Sequence, residues 1–334
     1  MGPVNMKAIG VREFGEAGNL ELMEMPRPEP GPGEVLVKVA CAGVNFIDIY
    51  MRSGAYKRSD TYQTPLPMVL GMEGAGQIVA LGQGVTSHRV GEVVAWCLSR
   101  GSYAEYAAVP AWRLVGVPPG VPMAVAAALM LQGMTAHYLT HSAYPLKKGD
   151  YCLVHAAAGG VGQLLVQLAK MRGAIVIATV GSKEKAEIAN ARGADYSIIY
   201  SQEDFQPLAR DLTEGRGVDV VYDSVGKDTL SRSIRSLKRR GTCILFGGSS
   251  GMVDCVDPLE LAEAGSVYFT RPHLADYLAD REEIGMRAGD LFRAAAGGKL
   301  VVSIDREYPL EEARQAHEAM EGRRSRGKIL LAVE

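Results

Sequence analysis

Residues 151–173 read YCLVHAAAGGVGQLLVQLAKMRG, and this stretch decides the fold class of the 334-residue chain. Tyr151–His155 is an apolar run of strand length, and the residues after the loop have the apolar periodicity of an amphipathic helix. Between them stand Gly159, Gly160 and Gly162, which approximate a G-x-G-x-x-G pattern. In that pattern glycine lets a pyrophosphate approach the backbone at a helix N-terminus. The stretch therefore predicts a dinucleotide-binding strand–loop–helix unit.

The alternation of strand and helix continues beyond this unit. Strands are predicted at Ala174–Val180, Tyr196–Ile199, Val218–Asp223 and Thr242–Phe246, and the helices that separate them at Ser182–Arg192, Glu203–Thr213 and Lys227–Lys238. Alternating elements predict crossover connections and a parallel sheet, and almost entirely apolar strands fit a sheet covered on both faces. A tight turn that binds nothing is the alternative for the glycine loop, because Ala157 stands where the pattern has its first glycine.

Outside this region strands and helices do not alternate in the same way. Residues 6–120 hold short strand-like runs separated by Pro- and Gly-rich turns, which predict a compact β-rich fold. From about Gly265 the chain predicts a strand, a helix at Ala275–Ala296, and then a strand, a helix and a final strand. The β-rich region thus precedes the alternating region, and further elements follow it.

Composition excludes several classes of protein. Hydrophobic residues make up 47% and charged residues 22%, which is ordinary for a globular chain and argues against disorder or a coiled coil. With a net charge of −2, the chain has no excess of positive charge to attract nucleic acid or anionic lipid. The five cysteines form no C-x-x-C pair and are expected to be reduced thiols in a cytoplasmic protein. Glycines and polar residues interrupt the uncharged stretch Tyr151–Ala169, so no membrane span is expected.

The end of the second strand of the alternating region indicates which cofactor binds. An NAD-binding fold places Asp or Glu there to bind the ribose hydroxyls. Here the strand Ala174–Val180 is followed by Gly181, Ser182 and two lysines that flank Glu184. A hydroxyl and two cations suit a 2′-phosphate, so NADPH is favoured over NADH, although lysines on a solvated helix start are the alternative.

Two segments of the β-rich region resemble the metal-binding segments of zinc alcohol dehydrogenases. Those enzymes carry G-V-C-x-[ST]-D-x-H and G-H-E, whereas this chain has GVNFIDIY at 43–50 and GME at 71–73. Asn45, Tyr50 and Met72 therefore replace one cysteine and two histidines. Zinc needs three or four nitrogen, sulfur or oxygen ligands, so no metal is expected and Glu73 and Asp48 are left without partners from a zinc site.

Five segments together carry a more specific resemblance. They are Asn45–Tyr56 (NFIDIYMRSGAY), His155–Gly162, Val221–Gly226 (VYDSVG), Phe246–Gly251 (FGGSSG) and Thr270–Pro272 (TRP). Over essentially its whole length the chain resembles the zinc-free NADPH:quinone oxidoreductase (ζ-crystallin-like) family of the medium-chain dehydrogenase/reductase superfamily, bacterial type. The resemblance implies an α/β protein with a GroES-like β-rich catalytic domain, residues 1–126 and 266–334. It also implies an inserted Rossmann domain with a doubly wound parallel sheet, residues 127–265, and a homodimer.

The resemblance assigns residues to roles. Asn45 and Tyr50 are the implied catalytic residues, and Tyr50 and Tyr56 the implied substrate contacts. The implied NADPH-binding residues are Asn45, Gln132, Thr135, Ala158, Gly159, Gly160, Val161, Gly162, Gly181, Ser182, Lys185, Tyr200, Ser224, Phe246, Gly247, Ser249, Phe269, Arg271 and Arg323. The alternatives for Asn45 and Tyr50 are a helix cap and a packed interface residue.

The function predicted is NADPH-dependent, metal-independent reduction of quinones, with transfer from the nicotinamide to an electron-poor conjugated carbonyl. The cofactor is expected to lie at the carboxyl ends of the parallel strands. Enoyl or alkenal double-bond reduction is an alternative that uses the same step. A nucleotide- or RNA-binding regulatory or structural protein with little turnover is a second, although the net charge makes nucleic acid an unlikely partner. Ser249 also lies in a G-x-S-x-G string, but extended chain or a loop, not a helix, is predicted after it.

Overall fold

The computed structural model describes residues 4–333 and divides into two compact units. The first unit contains the residues up to 134 together with those from 278 onward, and the second contains residues 135–277. The boundaries of the NADPH-binding domain, predicted at 127 and 265, remain predictions, because compactness follows packing and does not report what each part binds.

The second unit is built around a six-stranded parallel sheet. Its strands are β9 (Tyr151–Val154), β10 (Ile175–Val180), β11 (Tyr196–Ile199), β12 (Val218–Asp223), β13 (Leu237–Leu245) and β14 (Tyr268–Thr270). They lie in the order β11-β10-β9-β12-β13-β14, and every neighbouring pair is parallel. Numbered within the sheet, this is the order 3-2-1-4-5-6 of a doubly wound dinucleotide-binding fold, as predicted.

Short helices connect these strands. They are α4 (Gly160–Met171), α5 (Lys183–Ala191), α6 (Phe205–Asp211), α7 (Leu230–Arg235) and α8 (Pro258–Glu263). Asp204 and Asp257 cap α6 and α8 by accepting a backbone N–H two residues on, from Gln206 (3.1 Å) and Leu259 (2.8 Å). The sheet is buried on both faces: Leu153, Ile177 and Val221 lie on one face, and their neighbours Val154, Ala178 and Tyr222 lie on the other.

The first unit contains two antiparallel-rich sheets. Its strands are β1 (Asn5–Val11), β2 (Glu21–Pro26), β3 (Glu34–Val44), β4 (Met68–Val69), β5 (Glu73–Leu81), β6 (Val93–Cys97), β7 (Tyr106–Pro110), β8 (Val115–Gly116), β15 (Ile304–Pro309) and β16 (Lys328–Ala332). One sheet has the order β2-β1-β4, and the larger has the order β15-β16-β3-β5-β6-β8 with β7 also paired to β3. Strand β16, near the C-terminus, pairs with β3, so the last part of the chain belongs to the larger sheet of the first unit.

The helices of the first unit and its boundary are α1 (Phe46–Ser53), α2 (Met123–Ala128), α3 (Met134–Tyr138), α9 (Arg281–Ala296) and α10 (Ala313–Glu321). π-Helical turns at Leu129–Gly133 and Leu139–Ala143 join α2 to α3 and extend this helical stretch to residue 143. Helix α9 begins six residues later than predicted, since the Asp280 carboxylate accepts from Glu283 N (2.9 Å) and caps it. Among residues 4–333, no helix combines the length and the apolar character needed to cross a membrane.

Candidate cofactor and substrate site

The glycine loop lies where the strand order of the parallel sheet reverses, between β9 and β12. Ligands of doubly wound sheets bind beyond the carboxyl ends of the strands at such a switch point. The first hydrogen bond of α4 runs from Gln163 N to Gly159 O (2.9 Å). The N–H groups of Gly160, Val161 and Gly162 precede it, at the positive end of the helix dipole. This arrangement suits a pyrophosphate.

Gly162 has a steric reason to be glycine. A Cβ built there would lie 2.3 Å from Ala156 O and 2.7 Å from Ala157 Cα. The close approach of α4 to the loop residues Ala156 and Ala157 therefore requires glycine at position 162. Gly159 is less constrained, since its Cβ would lie 3.2 Å from the same Ala156 oxygen.

His155 closes β9 and is buried, with hydrogen bonds on both ring nitrogens. Its Nδ1 lies 2.7 Å from Thr179 Oγ1 on β10, and its Nε2 lies 2.9 Å from Ser233 Oγ on α7. Ser233 donates to Asp223 Oδ2 at the end of β12 (2.7 Å). Burial is the largest cause of the lowered pKa of His155. The imidazole thus ties β9 to β10 and, through Ser233, to the end of β12, and burial favours its neutral form.

The residues predicted around the 2′-phosphate come together at the end of β10. Ser182 Oγ accepts from Lys185 N (3.3 Å), so Ser182 caps α5 as the sequence predicts. A Cβ on Gly181 would lie 2.8 Å from Tyr200 Oη. These four residues therefore share one edge of the sheet, whereas Arg323 belongs to the first unit and its contact with the phosphate stays a prediction.

The residues predicted at the nicotinamide end lie at the ends of β12, β13 and β14. Ser249 N donates to Ser224 O (3.2 Å), and a Cβ on Gly247 would lie 2.6 Å from that oxygen. Arg271 Nη1 donates to Leu245 O (3.3 Å) at the end of β13, whose last residue precedes Phe246. Residues 251–257 form neither helix nor strand, and no helix follows Ser249 directly, so the chain does not form a nucleophile elbow there.

A buried ion pair occupies the segments that resemble zinc ligands. Lys328 Nζ donates to Glu73 Oε2 and to Asn45 Oδ1 (2.7 Å), and all three side chains are buried. Asn45 Nδ2 donates to Glu73 Oε2 (2.9 Å) and to Gly43 O (3.3 Å), while Gln132 Nε2 donates to Asn45 Oδ1 (3.3 Å). These five residues are called the lysine cluster below.

The hydrogen bonds of the lysine cluster correct the expectation for Glu73 and bear on the role predicted for Asn45. Glu73 was expected to lack partners without zinc, but it accepts from Lys328, from Asn45 and from Leu131 N. Asn45 uses both hydrogens and both lone pairs of its amide inside the cluster. Direct contact of its amide with a substrate or cofactor, as its implied catalytic and NADPH-binding roles require, therefore needs one of these bonds to break.

The lysine cluster does not suit zinc. A cation as a near neighbour of Glu73 competes with a metal for the same carboxylate, and Asn45 and Met72 are not zinc ligands of the usual kind. Within residues 4–333, no group of three His, Cys, Asp or Glu side chains could hold a metal ion.

A second buried network starts at the N-terminus of α1. Asp48 accepts from Asn45 N (2.9 Å), from Met72 N (3.0 Å) and from Tyr103 Oη (3.3 Å). Burial is the main cause that raises the pKa of Asp48 to about 7. These bonds give Asp48 a structural role at the start of α1.

Tyr103 continues this network toward α10. Its hydroxyl lies 3.1 Å from His317 Nε2, and His317 Nδ1 lies 3.3 Å from Arg52 Nη1. Arg52 in turn pairs with Glu321 at 2.6 Å. Because arginine only donates, His317 Nδ1 must accept, and its Nε2 carries the hydrogen. Burial lowers the pKa of His317 to about 3.

The two predicted substrate tyrosines belong to a row of aromatic rings. Ring centroids are 5.9 Å apart between Phe46 and Tyr50 and 5.3 Å apart between Tyr50 and Tyr56. Tyr56 stacks on Tyr62, again at 5.3 Å. The row combines apolar ring faces with hydroxyls, which suits a planar substrate with oxygen substituents.

Sequence reasoning missed Lys328, Tyr103 and His317. Lys328 lies 255 residues from Glu73 and belongs to no motif, so only the pairing of β16 with β3 reveals it. His317 had no recognisable partner pattern for the same reason. A buried lysine could have been suspected only from its position at the start of an apolar strand, Lys328–Ala332.

Comparison with known proteins agrees with this architecture. The chain matches the model of the alcohol dehydrogenase GroES-like domain over residues 31–119 and that of zinc-binding dehydrogenase over residues 160–273. It is 42% identical to 2-haloacrylate reductase from Burkholderia sp, covering 97% of this chain and 98% of that protein. It is 40% identical to quinone oxidoreductase from Pseudomonas aeruginosa, covering 97% and 99%.

A solved structure extends the likeness to three dimensions. The Escherichia coli quinone oxidoreductase complexed with NADPH superposes with a TM-score of 0.93 at 38% identity, covering 98% of this chain and 99% of that one. The match covers the GroES-like part and the Rossmann-type parallel sheet alike. The chain belongs to the quinone oxidoreductase family of the medium-chain dehydrogenase/reductase superfamily.

Proposed function

We propose that this protein is an NADPH-dependent reductase of quinones and that it works without a metal ion. The observation that carries the proposal is full-length likeness to quinone oxidoreductases, one of them solved with NADPH, in a chain whose lysine cluster does not suit zinc. When bound, NADPH supplies a hydride, and the protein supplies orientation and a shaped, dry surface.

The second unit suits the cofactor. The α4 N-terminus holds the pyrophosphate through the backbone N–H groups of Gly160, Val161 and Gly162, with Ala158 and Gly159 completing the loop. Ser182, Lys185 and Tyr200 bind the 2′-phosphate beside Gly181, which favours NADPH over NADH. The nicotinamide end binds along the ends of β12, β13 and β14, where the residues are Ser224, Phe246, Gly247, Ser249, Phe269 and Arg271.

The first unit contributes the predicted substrate contacts. Tyr50 and Tyr56 present ring faces and hydroxyls to a planar acceptor, and Tyr50 is the catalytic residue that would steady the carbonyl. Asn45 shares this predicted role, but its amide is engaged in the lysine cluster. Thr135, Gln132 and Arg323 complete the proposed cofactor contacts. Because no metal polarises the acceptor, the substrate must already be electron-poor.

Reduction of a conjugated carbon–carbon double bond is the second candidate. The relative from Burkholderia sp is a 2-haloacrylate reductase at 42% identity, so the same scaffold serves a small unsaturated acid there. The arrangement of cofactor and acceptor needed for both reactions is alike, and the acceptor distinguishes them.

A homodimer and a cytoplasmic location are also proposed. Strand β14 lies at the edge of the six-stranded sheet, and Tyr268 at its start is 64% exposed. An edge strand has free backbone groups with which a second copy can pair. All five cysteines are free thiols, which fits a reducing compartment. Sedimentation at micromolar concentration should give twice the chain mass, and a monomer there overturns the dimer.

A substrate panel tests the function directly. NADPH oxidation is followed with 1,4-benzoquinone, a naphthoquinone, an aliphatic enone, 2-chloroacrylate and an enoyl thioester at matched concentrations. We expect kcat/KM to be highest for the quinones. Highest kcat/KM for 2-chloroacrylate or the thioester would instead assign the protein to double-bond reduction, and no oxidation of NADPH with any acceptor would reject both.

A further inference from the structure

The lysine cluster contains two amides whose orientation is dictated by charge. An amide group has a donating end and an accepting end of nearly the same shape, and only its hydrogen-bond partners decide which way it lies. Lys328 can only donate hydrogen bonds, and the ionised Glu73 can only accept them. Both touch the side chain of Asn45.

These two partners leave Asn45 one orientation. Its Oδ1 must face the Lys328 ammonium, 2.7 Å away, and its Nδ2 must face Glu73 Oε2, 2.9 Å away. The Gly43 carbonyl, 3.3 Å from the same Nδ2, selects the same orientation because a carbonyl oxygen only accepts. In the reversed orientation, an N–H would face an ammonium and a carbonyl oxygen would face a carboxylate.

The orientation of Asn45 then decides that of Gln132. Since Asn45 presents an oxygen, Gln132 must present its Nε2 to it, and the two atoms are 3.3 Å apart. Gln132 Oε1 consequently points away from the cluster. It accepts no hydrogen bond from residues 4–333, and it is not among the buried atoms that lack a partner, so it retains access to solvent. Gln132 as a whole is 7% exposed.

An oxygen that only accepts selects a donor as its ligand. We propose that Lys328 and Glu73 are positioning residues for cofactor binding, which orient Asn45 and through it Gln132, so that Gln132 Oε1 accepts from a hydroxyl of the nicotinamide ribose. This inference rests on the proposed binding of NADPH. In this proposal the ion pair itself contacts neither the cofactor nor the reacting atoms, and it acts only by orienting the two amides.

The packing around the pair supports a fixed geometry. A Cβ on Gly43 would lie 1.8 Å from Glu73 Oε2 and 2.8 Å from Lys328 Nζ, so the backbone of β3 closes directly over the pair. Leu131 N donates to the second oxygen of Glu73, in the same π-helical turn that carries Gln132. The carboxylate therefore holds both the backbone and, through Asn45, the side chain of this turn.

The test replaces the ion pair by neutral groups of similar shape. In the double variant Glu73→Gln with Lys328→Met no charge is left unpaired, and the Asn45 amide loses both charged partners that fix its orientation and keeps only the Gly43 carbonyl, 3.3 Å away. Dissociation constants are measured for NADPH by its fluorescence and for 2′,5′-ADP, which carries only the adenosine end with its phosphate. Lys299→Met, at an exposed lysine of the same unit, is the matched control.

We expect the double variant to bind NADPH about fivefold more weakly, the effect of one hydrogen bond, and 2′,5′-ADP within twofold of the wild type. Gln132→Met alone should give the same loss, and adding it to the double variant should weaken binding no further, because all three changes remove one contact. Unchanged NADPH affinity in Gln132→Met overturns the inference even if the double variant does not fold.

Two further outcomes of the binding measurements would overturn the inference. Equal weakening of NADPH and 2′,5′-ADP in the double variant indicates a general structural role for the pair and overturns the inference. Additive losses from Gln132→Met and the double variant do the same, since they show independent contacts. Absence of NADPH binding in the wild type is a different failure, because it rejects the proposed function itself.

Discussion

The hydroxyl of Tyr103 lies 3.1 Å from Nε2 of His317, and the two rings meet edge to face with centroids 5.8 Å apart. This contact joins helix α10, near the C-terminus, to the network that holds the start of α1. Both side chains are fully buried. The state of charge of His317 therefore affects the stability of the β-rich unit directly.

The His317 contact predicts how stability depends on pH. Burial lowers the pKa of His317 to about 3 from its ordinary value of 6.5. Between these two pH values, His317 therefore binds a proton in the unfolded chain but not in the folded chain. Stability from this group is complete above pH 6.5 and is lost as pH falls toward 3. Asp48, whose pKa is raised to about 7, acts in the opposite sense, since its protonation as pH falls favours the folded chain.

The variant His317→Gln isolates this contribution. Glutamine can donate to Tyr103 and accept from Arg52, but it does not titrate. Relative to the wild type, the variant should gain up to about 1.4 kcal/mol of unfolding free energy per pH unit on going from pH 6.5 to 4.5. Urea unfolding at several pH values measures it, and a constant difference between the two proteins would show that His317 is not held neutral.

Removing one member of the buried ion pair should be more damaging than removing both. Lys328→Met leaves the Glu73 carboxylate buried without its cation, and the expected loss of unfolding free energy is about 3–5 kcal/mol. The double variant with Glu73→Gln should recover most of that loss. Chemical denaturation of the two single variants and the double variant gives the coupling, and additive losses would contradict the pairing.

Gly162 offers a test of the glycine loop. Gly162→Val should abolish NADPH binding, since even its Cβ would lie 2.3 Å from Ala156 O. Gly285→Ala in α9 is the matched control, because its Cβ would meet nothing within 4 Å. The control should be as stable as the wild type or more so, by up to about 1 kcal/mol. NADPH titration and thermal unfolding check both, and retained binding in Gly162→Val rules out the assigned role.

Lys185 should decide between the two nicotinamide cofactors. NADPH is expected to bind at least about tenfold more tightly than NADH, a difference of about 1.4 kcal/mol. Lys185→Ala should raise KM for NADPH and leave KM for NADH nearly unchanged, because only NADPH carries the 2′-phosphate. Lys147→Ala, at an exposed lysine before the amino end of β9, should change neither value. Equal effects of Lys185→Ala on both cofactors would contradict the 2′-phosphate contact.

Structure that neighbouring residues determine can be predicted from this sequence, whereas contacts between distant parts of the chain cannot. Four of the parallel strands and Ser182 as the cap of α5 follow from apolar runs, glycines and a hydroxyl within a few residues of each other. The end of α7 is different, since the predicted helix 227–238 stops at Arg235 where β13 begins. Sheet pairing across the chain overrode a helical pattern there.

The lysine cluster shows the same limit at the site. The loss of zinc ligands can be seen in two short segments, but what replaces them depends on β16 lying beside β3. No local pattern indicates that Lys328 faces Asn45. The family resemblance therefore assigned Asn45 a catalytic role, whereas its partners in the fold engage the whole amide.

The central claim is reduction of quinones by NADPH without a metal ion. The most direct measurement is the rate of 1,4-benzoquinone-dependent NADPH oxidation before and after exhaustive dialysis against a chelator, with zinc content determined on the same samples. We predict the full rate of NADPH oxidation in samples whose zinc content is negligible. Activity that falls with the zinc content and returns when zinc is restored would contradict it.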